Sequence, residues 1–459
     1  MKKLLICLML AVIVITMTTL GIGCKVTKAE ETTISAETTV TESTTAETTA
    51  GEKIKIVNYY SSGDSPPERD LYQYFIDEFE KDNPNIDVEY LSEGVDVFRN
   101  KIKLLASTKS MYTLTQGYGR DWVEEYVKSG ALQDWAPILN ADPEWKSIIK
   151  PQALDGISNI AGMELPVLPI PGNEMTLGLF VNASLLKEYN LDVPKTWDDL
   201  LNVCKVLNDN GIIPWAVGSA DVWSSWPFNT FFRRYAGGND DYDLFRSFLA
   251  GTTKFNNPEF LKAAKRIKEL VDAKAFPSNA ATLNWAQAQE LFNTKKAAMI
   301  GCGVWMCKPF SDALGDEGQV VFTGLPPFDD APDNRASVES FTHQGMMLDV
   351  NTTGAKLEAV VKWEKFISTK EFAQKYVEDL SIPQPWTFDL DYTKLSNLFK
   401  QLNEYIKTNA MPYQVECWTP ASFSAVWNAA LMDLVSGNAT PEQTLDAMDQ
   451  WYELQNIEK

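Results

Sequence analysis

One histidine, His343, serves the whole 459-residue chain. Any serine–histidine–carboxylate mechanism would have to run through it, and zinc motifs built on two histidines are excluded. There is no Gly-x-Ser-x-Gly elbow, no Walker A phosphate loop and no Gly-x-Gly-x-x-Gly. The 62 Asp and Glu are ample material for a glycoside hydrolase, which needs two carboxylates about 5–10 Å apart across the scissile bond. No spacing in the sequence singles out such a pair. Of six cysteines, Cys7 and Cys24 fall in the N-terminal leader, leaving Cys204, Cys302, Cys307 and Cys417 without a Cys-x-x-Cys. Zinc is therefore not expected, and no cofactor is implied. Cys204 sits in a helical apolar pattern and reads as a small buried hydrophobe, while the pairing of the four stays open. The acidic run Asp240-Asp241-Tyr242-Asp243 has calcium-type ligands without a regular ligand loop, and reads as a solvated turn.

Lysine and arginine number 41 against those 62 acids, a formal charge of −21. A nucleic-acid partner needs a basic footprint, so that class is excluded. Hydrophobic residues make up 45% and the chain has 14 Trp, enough for large buried cores. At about 150 residues per domain, two or three compact units fit.

Lys2 and Lys3 precede an apolar run from Leu4 to Leu20, followed by Gly21, Ile22, Gly23 and Cys24. This is the layout of an export signal. It resembles a bacterial lipoprotein signal over residues 1–24, in which Cys24 becomes the lipidated first residue, although Gly21 stands where that pattern has leucine. The other reading is an uncleaved anchor helix, since about 20 apolar residues span a bilayer. Both put the remaining chain outside the cytoplasm, at the cell surface. Residues 25–52 hold ten Thr and six Glu, with Glu-Thr-Thr at 31–33, 37–39 and 47–49. Nothing there packs a core, and a flexible tether of this length reaches roughly 30 Å.

From Lys53 onward, strand-like and helical patterns alternate. A strand around Ile54, Ile56 and Val57 leads to a helix with Leu71, Phe75 and Phe79 on one face, ended by Asn83-Pro84-Asn85. A second strand at 86–91, a helix at 95–106 and a strand at 112–115 complete a βαβαβ opening, which calls for a parallel sheet covered by helices. Further helices are expected at 121–129, 197–210, 257–273, 284–292, 356–367 and 440–455. Further strands are expected at 177–181, 297–300, 320–322 and 346–350. The proline-rich patches at 166–171 and 326–332 read as crossings between two lobes.

Certain phrases then appear in order: Phe75-Ile-Asp-Glu-Phe-Glu-Lys-Asp-Asn-Pro-Asn-Ile-Asp-Val, Tyr126-Val-Lys-Ser-Gly-Ala-Leu, and Leu177-Gly-Leu-Phe-Val-Asn-Ala-Ser-Leu-Leu. They continue with Val193-Pro-Lys-Thr-Trp-Asp-Asp-Leu, Ile213-Pro-Trp, Lys296-Ala-Ala-Met-Ile-Gly-Cys-Gly-Val-Trp305 and Gly324-Leu-Pro-Pro. In order and spacing the chain resembles the bacterial extracellular solute-binding proteins of carbohydrate-uptake ABC transporters, the maltose-binding-protein group, over about residues 53–455. One departure is Met111-Tyr-Thr-Leu-Thr, where that family has a Pro-Asp-hydrophobic strand. The resemblance implies an α/β, periplasmic-binding-protein-like fold of two lobes, each a mostly parallel sheet flanked by helices, joined by crossing hinge strands. The lobes are expected as 53–168 plus 318–350 and 169–317 plus 351–459.

It also implies a carbohydrate ligand trapped between the lobes by hinge closure, delivery to membrane permease subunits, no catalysis and a monomeric chain. A sugar has CH-rich faces and a rim of hydroxyls, so its site needs flat aromatics beside carboxylates and amides. By position in the family phrases, Tyr118 and Asp121 are a stacking and a hydroxyl-binding candidate, Asp64 falls in the first strand-to-helix loop, and Glu174 precedes a crossing strand. Trp223 is expected to face the sugar while Trp226 packs, and Trp305 is a second stacking position. Trp386, Trp418 and His343 are added from loops expected near the cleft. Trp122, Trp197 and Trp363 lie in helical patterns and are expected in the core. A secreted glycoside hydrolase is the rival reading. A surface adhesin is disfavoured, because the patterns describe an α/β body rather than repeated β-sandwiches.

Overall fold

The computed structural model describes residues 53–61, 65–155, 157–172, 174–237, 243–336, 338–342, 344–412 and 419–457. The leader with Cys24, the tether, Asp64, the acidic residues 240–242, His343, Cys417 and Trp418 lie outside the described residues. Asp121, Glu174 and Trp223 are placed by their backbone alone.

Among the described residues, twelve strands form two six-stranded sheets. The first holds β1 (Ile54–Tyr60), β2 (Ile86–Ser92), β3 (Leu114–Tyr118), β4 (Leu132–Gln133), β5 (Val167–Pro169) and β11 (Gln344–Asp349), in the order β2-β1-β3-β11-β4 with β5 also on β11. The second holds β6 (Glu174–Asn182), β7 (Ile213–Ala216), β8 (Ala297–Gly303), β9 (Val320–Thr323), β10 (Val338–Thr342) and β12 (Ala410–Pro412), in the order β12-β10-β6-β8-β7 with β9 also on β6. The βαβαβ opening is as its patterns require, with β1 parallel to both β2 and β3. Beyond it the sheets are mixed rather than mostly parallel. Around the crossings, β6 pairs antiparallel with β8 and β10, β11 pairs antiparallel with β3, and β10 is parallel to β12.

The helix Pro66–Asp82 shows why these segments fold as they do. Two prolines set its first turn, where their missing N–H groups cost nothing. Its stripe Leu71, Phe75 and Phe79 is buried. Phe75 meets Phe372 at a ring separation of 4.7 Å, and Phe79 meets Trp363 at 5.3 Å. Asn83 ends the helix by donating its backbone N–H and its Nδ2 to the Phe79 carbonyl. In the second lobe the phrase around Thr196 proves to be a capping box: Thr196 Oγ1 accepts from the Asp199 N–H at 3.1 Å, and the Asp199 carboxylate accepts from the Thr196 N–H at 3.0 Å. Among the described residues no helix is long and apolar enough to cross a membrane.

The lobe boundaries differ from those expected. Residues 318–350 do not stay together in the first lobe: β9 and β10 lie end to end along one edge of β6 in the second sheet, and only β11 returns to the first. Nor do residues 351–459 all join the second. After β11 only four residues precede the helix Gly354–Ile367, too short a link to leave the first sheet, and its Val360, Trp363 and Ile367 are buried there beside the helix Lys370–Leu380. The helices Asn397–Asn409, Ala421–Val435 and Pro441–Ile457 then complete the second lobe. Of the two proline-rich patches, 166–171 leads into the crossing from β5 to β6. The patch 326–332 stays in the second lobe, where Phe328 packs on Trp197 and Phe231 and the Arg234 guanidinium donates to the carbonyls of Leu325 and Pro326. Burial pulls that guanidinium down to about 10.

Candidate ligand-binding site

In an open α/β sheet, ligands bind beyond the carboxyl ends of the parallel strands. Beyond those ends in the first lobe stands a connected polar set. Ser61 follows β1, Gln116 and Tyr118 end β3, and Gln344 opens the antiparallel β11 beside them. The Ser61 N–H donates to Gln116 Oε1 at 2.9 Å, and the Ser61 hydroxyl donates to the same oxygen at 3.2 Å. Gln116 Nε2 donates to Gln344 Oε1 at 2.9 Å. The Ser61 and Tyr118 hydroxyls are bonded to each other, and burial holds the Tyr118 phenol above its ordinary range, so it keeps its proton. The Tyr118 ring stands edge-on to Trp122 at 4.9 Å, and the Arg99 guanidinium lies 4.0 Å over the indole's face. Glu68, one turn into the first helix, accepts from the Tyr376 hydroxyl at 2.9 Å.

The second lobe supplies aromatic surface. Trp305 lies in the 3₁₀ turn Val304–Met306 after β8, and Trp226 opens the helix Trp226–Tyr235. The two half-buried indoles meet edge to face at 5.8 Å and pack on Met175 and Leu177 of β6. Two glycines of β8 make this possible. A Cβ on Gly303 would stand 1.9 Å from Cζ3 of Trp305, so the indole folds back over a strand with no side chain there. A Cβ on Gly301 would stand 2.4 Å from Cγ of Pro227, which lets the helix after Trp226 settle against the strand.

The two sets converge on one crossing. Gln344 Nε2 donates to the Pro171 carbonyl at 3.4 Å, and four residues later Met175 underlies the indole pair. Four residues span at most roughly 14 Å. The lobes also touch where the helix Ala421–Val435 packs against the helix Gly119–Lys128. Buried polar groups already bonded on one side and flat apolar rings on the other suit a ligand with both hydroxyl rims and apolar faces.

Of the residues expected here, Tyr118 and Trp305 stand in these sets. Asp121 lies in the first turn of the helix Gly119–Lys128, Glu174 is the first residue of β6, and Trp223 lies in the 3₁₀ turn Val222–Ser225 directly before Trp226. Trp386 is a correction: it is 3% exposed, edge-on to Phe372 and bridged to Ile149, so it is core of the first lobe and offers no stacking face. Trp226, expected to pack, is the partner of Trp305. Trp197 and Trp363 are core as expected, whereas Trp122 is half-buried beside Tyr118. Ser61, Glu68, Gln116 and Gln344 were not singled out by the sequence, because nothing local distinguishes them from other polar residues. Cys204, Cys302 and Cys307 are unpaired and buried, and burial pushes the Cys204 thiol up to about 12.

Two mixed α/β sheets joined by crossing segments, with a bonded polar set and an indole pair at the crossing, define a two-lobe α/β protein. The chain belongs to the bacterial extracellular solute-binding proteins, whose family model matches residues 64–374. An uncharacterised ABC transporter extracellular-binding protein of Pyrococcus horikoshii is 23% identical over 365 residues, 78% of this chain and 81% of that one. The melibiose/raffinose/stachyose-binding protein MelE of Bacillus subtilis is 23% identical over 250 residues, 53% of this chain and 55% of its own. Among solved structures, a chitin oligosaccharide binding protein superposes with a TM-score of 0.76 at 20% identity, covering 89% of this chain and all of that one.

Proposed function

We propose that this protein is the receptor of an ABC importer: it captures a sugar or oligosaccharide between its lobes, closes about the hinge crossings, and hands the ligand to a membrane permease. The observation that carries the reading is the pairing of chemistries at the crossing, with the indoles of Trp226 and Trp305 on one side and the Ser61, Gln116 and Tyr118 set on the other. Sugar CH faces stack on rings, and hydroxyls need partners because each left unpaired costs about 1–3 kcal/mol. Support comes from the relative named for melibiose, raffinose and stachyose and from the neighbour named for chitin oligosaccharides. The chain acts without catalysis, as a monomer held at the cell surface through lipidated Cys24 and the 25–52 tether. Asp121, Glu174, Trp223, Asp64, His343 and Trp418 are further candidate contacts, from the family phrases and loops.

The test is a thermal-shift screen of residues 53–459 with maltotriose, chitotriose, raffinose and xylotriose, assaying the same mixtures for new reducing ends. A ligand at a hundred times its Kd stabilises the fold by about 2.7 kcal/mol, a rise of several degrees in Tm. A selective rise without new reducing ends is expected. New reducing ends would replace the receptor with a hydrolase.

A further inference from the structure

The hydrogen bonds that begin at Tyr118 do not stop inside the first lobe. They continue through two glutamine amides to the backbone of the crossing that joins the lobes. We propose that Gln344, acting with Gln116, is a positioning residue: the two amides form a one-way relay that ties the Tyr118 hydroxyl to the hinge at Pro171, and this tie sets the angle between the lobes. The proposal deepens the receptor reading and rests on it only for the identity of the ligand.

The direction of the relay follows from its ends. At one end the Ser61 backbone N–H can only donate, so the group facing it at 2.9 Å is the Gln116 oxygen. That places Gln116 Nε2 toward Gln344, whose oxygen accepts at 2.9 Å. Gln344 Nε2 is thereby turned to the Pro171 carbonyl, which can only accept, at 3.4 Å. Neither amide can flip alone without setting donor against donor or acceptor against acceptor. Because Gln116 Oε1 also receives the Ser61 hydroxyl proton, the Ser61 oxygen is left to accept from Tyr118. Tyr118 thus directs its proton inward, to Ser61.

The far end of the relay lies where the hinge lies. Pro171 and Gly172 stand between β5 of the first sheet and β6 of the second. Gln344 itself follows the second crossing, from β10 of the second sheet to β11 of the first. Its side chain therefore bridges two crossings that are 173 residues apart in sequence. Gly172 takes a φ of +73°, and a Cβ there would stand 2.7 Å from Gln344 Nε2. Its N–H donates to the Pro383 carbonyl at 2.9 Å, which fastens the same point to the loop after the helix Lys370–Leu380. Gln116 is only 5% exposed, so breaking the relay strands an amide in a dry setting rather than handing it to water.

The test uses no ligand, so it stands apart from the sugar assignment. Spin labels at Lys103→Cys in the first lobe and Lys265→Cys in the second, in a Cys417→Ser background, report the interlobe distance by double electron–electron resonance. The wild type is expected to give one distance distribution at pH 4 and at pH 7.5. Gln344→Glu keeps the shape, accepts from Gln116, and can donate to Pro171 only while its carboxyl is protonated, ordinarily near pH 4. That variant should match the wild type in acid and lose the short-distance population at pH 7.5. Gln116→Glu, which loses its donor to Gln344 on ionising, should reproduce the effect from the other end. Circular dichroism at both pH values separates this from unfolding, which would remove the distance distribution at both. Distributions of folded Gln344→Glu and Gln116→Glu that match the wild type at pH 7.5 would overturn the proposal.

Discussion

On the first-lobe side of the crossing stand a serine, two glutamines and a tyrosine, bonded to one another before any ligand arrives. On the second-lobe side stand two indoles in edge contact over Met175 and Leu177. The polar side is directional. Its donors and acceptors are fixed by neighbours, so a hydroxyl that meets them wrongly leaves a buried group unpaired at about 1–3 kcal/mol. The aromatic side is tolerant: ring faces attract CH surfaces over a range of rotations and contribute through buried area. On the proposed reading, the first lobe would discriminate between sugars and the second would supply affinity. Glycine serves each side differently. Gly303 clears space for a ring, while Gly172 supplies a positive φ at the hinge.

Two changes would break that contrast, and a third, away from both sides, marks its limit. The largest effect is expected from Trp226→Ala with Trp305→Ala, which removes both platforms and should lower oligosaccharide affinity by about 100-fold or more, given roughly 1.4 kcal/mol per tenfold. Isothermal titration with whichever sugar the screen selects measures this, and a folded double variant with unchanged affinity would remove the aromatic side from the site. Gly303→Ala leaves both indoles in the sequence but drives the Trp305 ring from its seat, so affinity should fall on the order of tenfold, approaching that of Trp305→Ala alone. The smallest effect concerns a place with no ligand role. Glu364 is 2% exposed under the first sheet, its Oε1 has no hydrogen-bond partner, and burial pushes its carboxyl up to about 8. The titratable groups whose own ionisation it opposes are the buried hydroxyls of Tyr60 and Tyr72. Between the ordinary carboxyl range and that value, the folded state holds a proton that the unfolded state has released. Stability then falls as pH rises through this window, by at most about 1.4 kcal/mol per unit. Glu364→Gln should flatten this slope, and its Tm advantage over the wild type should grow from pH 5 to pH 8. A Tm difference independent of pH would contradict it, and neither outcome should change sugar affinity at pH 6.

The first-lobe helix was legible because Leu71, Phe75 and Phe79 repeat at the helical period and Pro66, Pro67 and Asn83 mark its ends. Trp305 was legible because it closes a phrase whose two glycines exist to seat it and the neighbouring helix. The polar relay was not, because its members are 228 residues apart at the Gln116–Gln344 step and no local pattern marks a glutamine for a distant partner. The roles expected of Trp223 and Trp226 depend on where a 3₁₀ turn gives way to a helix, a boundary of one residue that periodicity does not resolve. The lobe boundaries failed for a related reason. Strand β9 reads as an ordinary apolar strand, β10 (Val-Glu-Ser-Phe-Thr) shows no apolar run that marks it as one, and only the length of β6 shows that one edge has room for both.

The central claim is that one ligand engages both sides at once. Amide hydrogen exchange with and without the sugar chosen by the screen tests it directly. The account predicts slowed exchange in both the Leu114–Tyr118 strand and the Gly303–Met306 turn, with the same dependence on sugar concentration. Protection of one segment alone, or of neither, would contradict it.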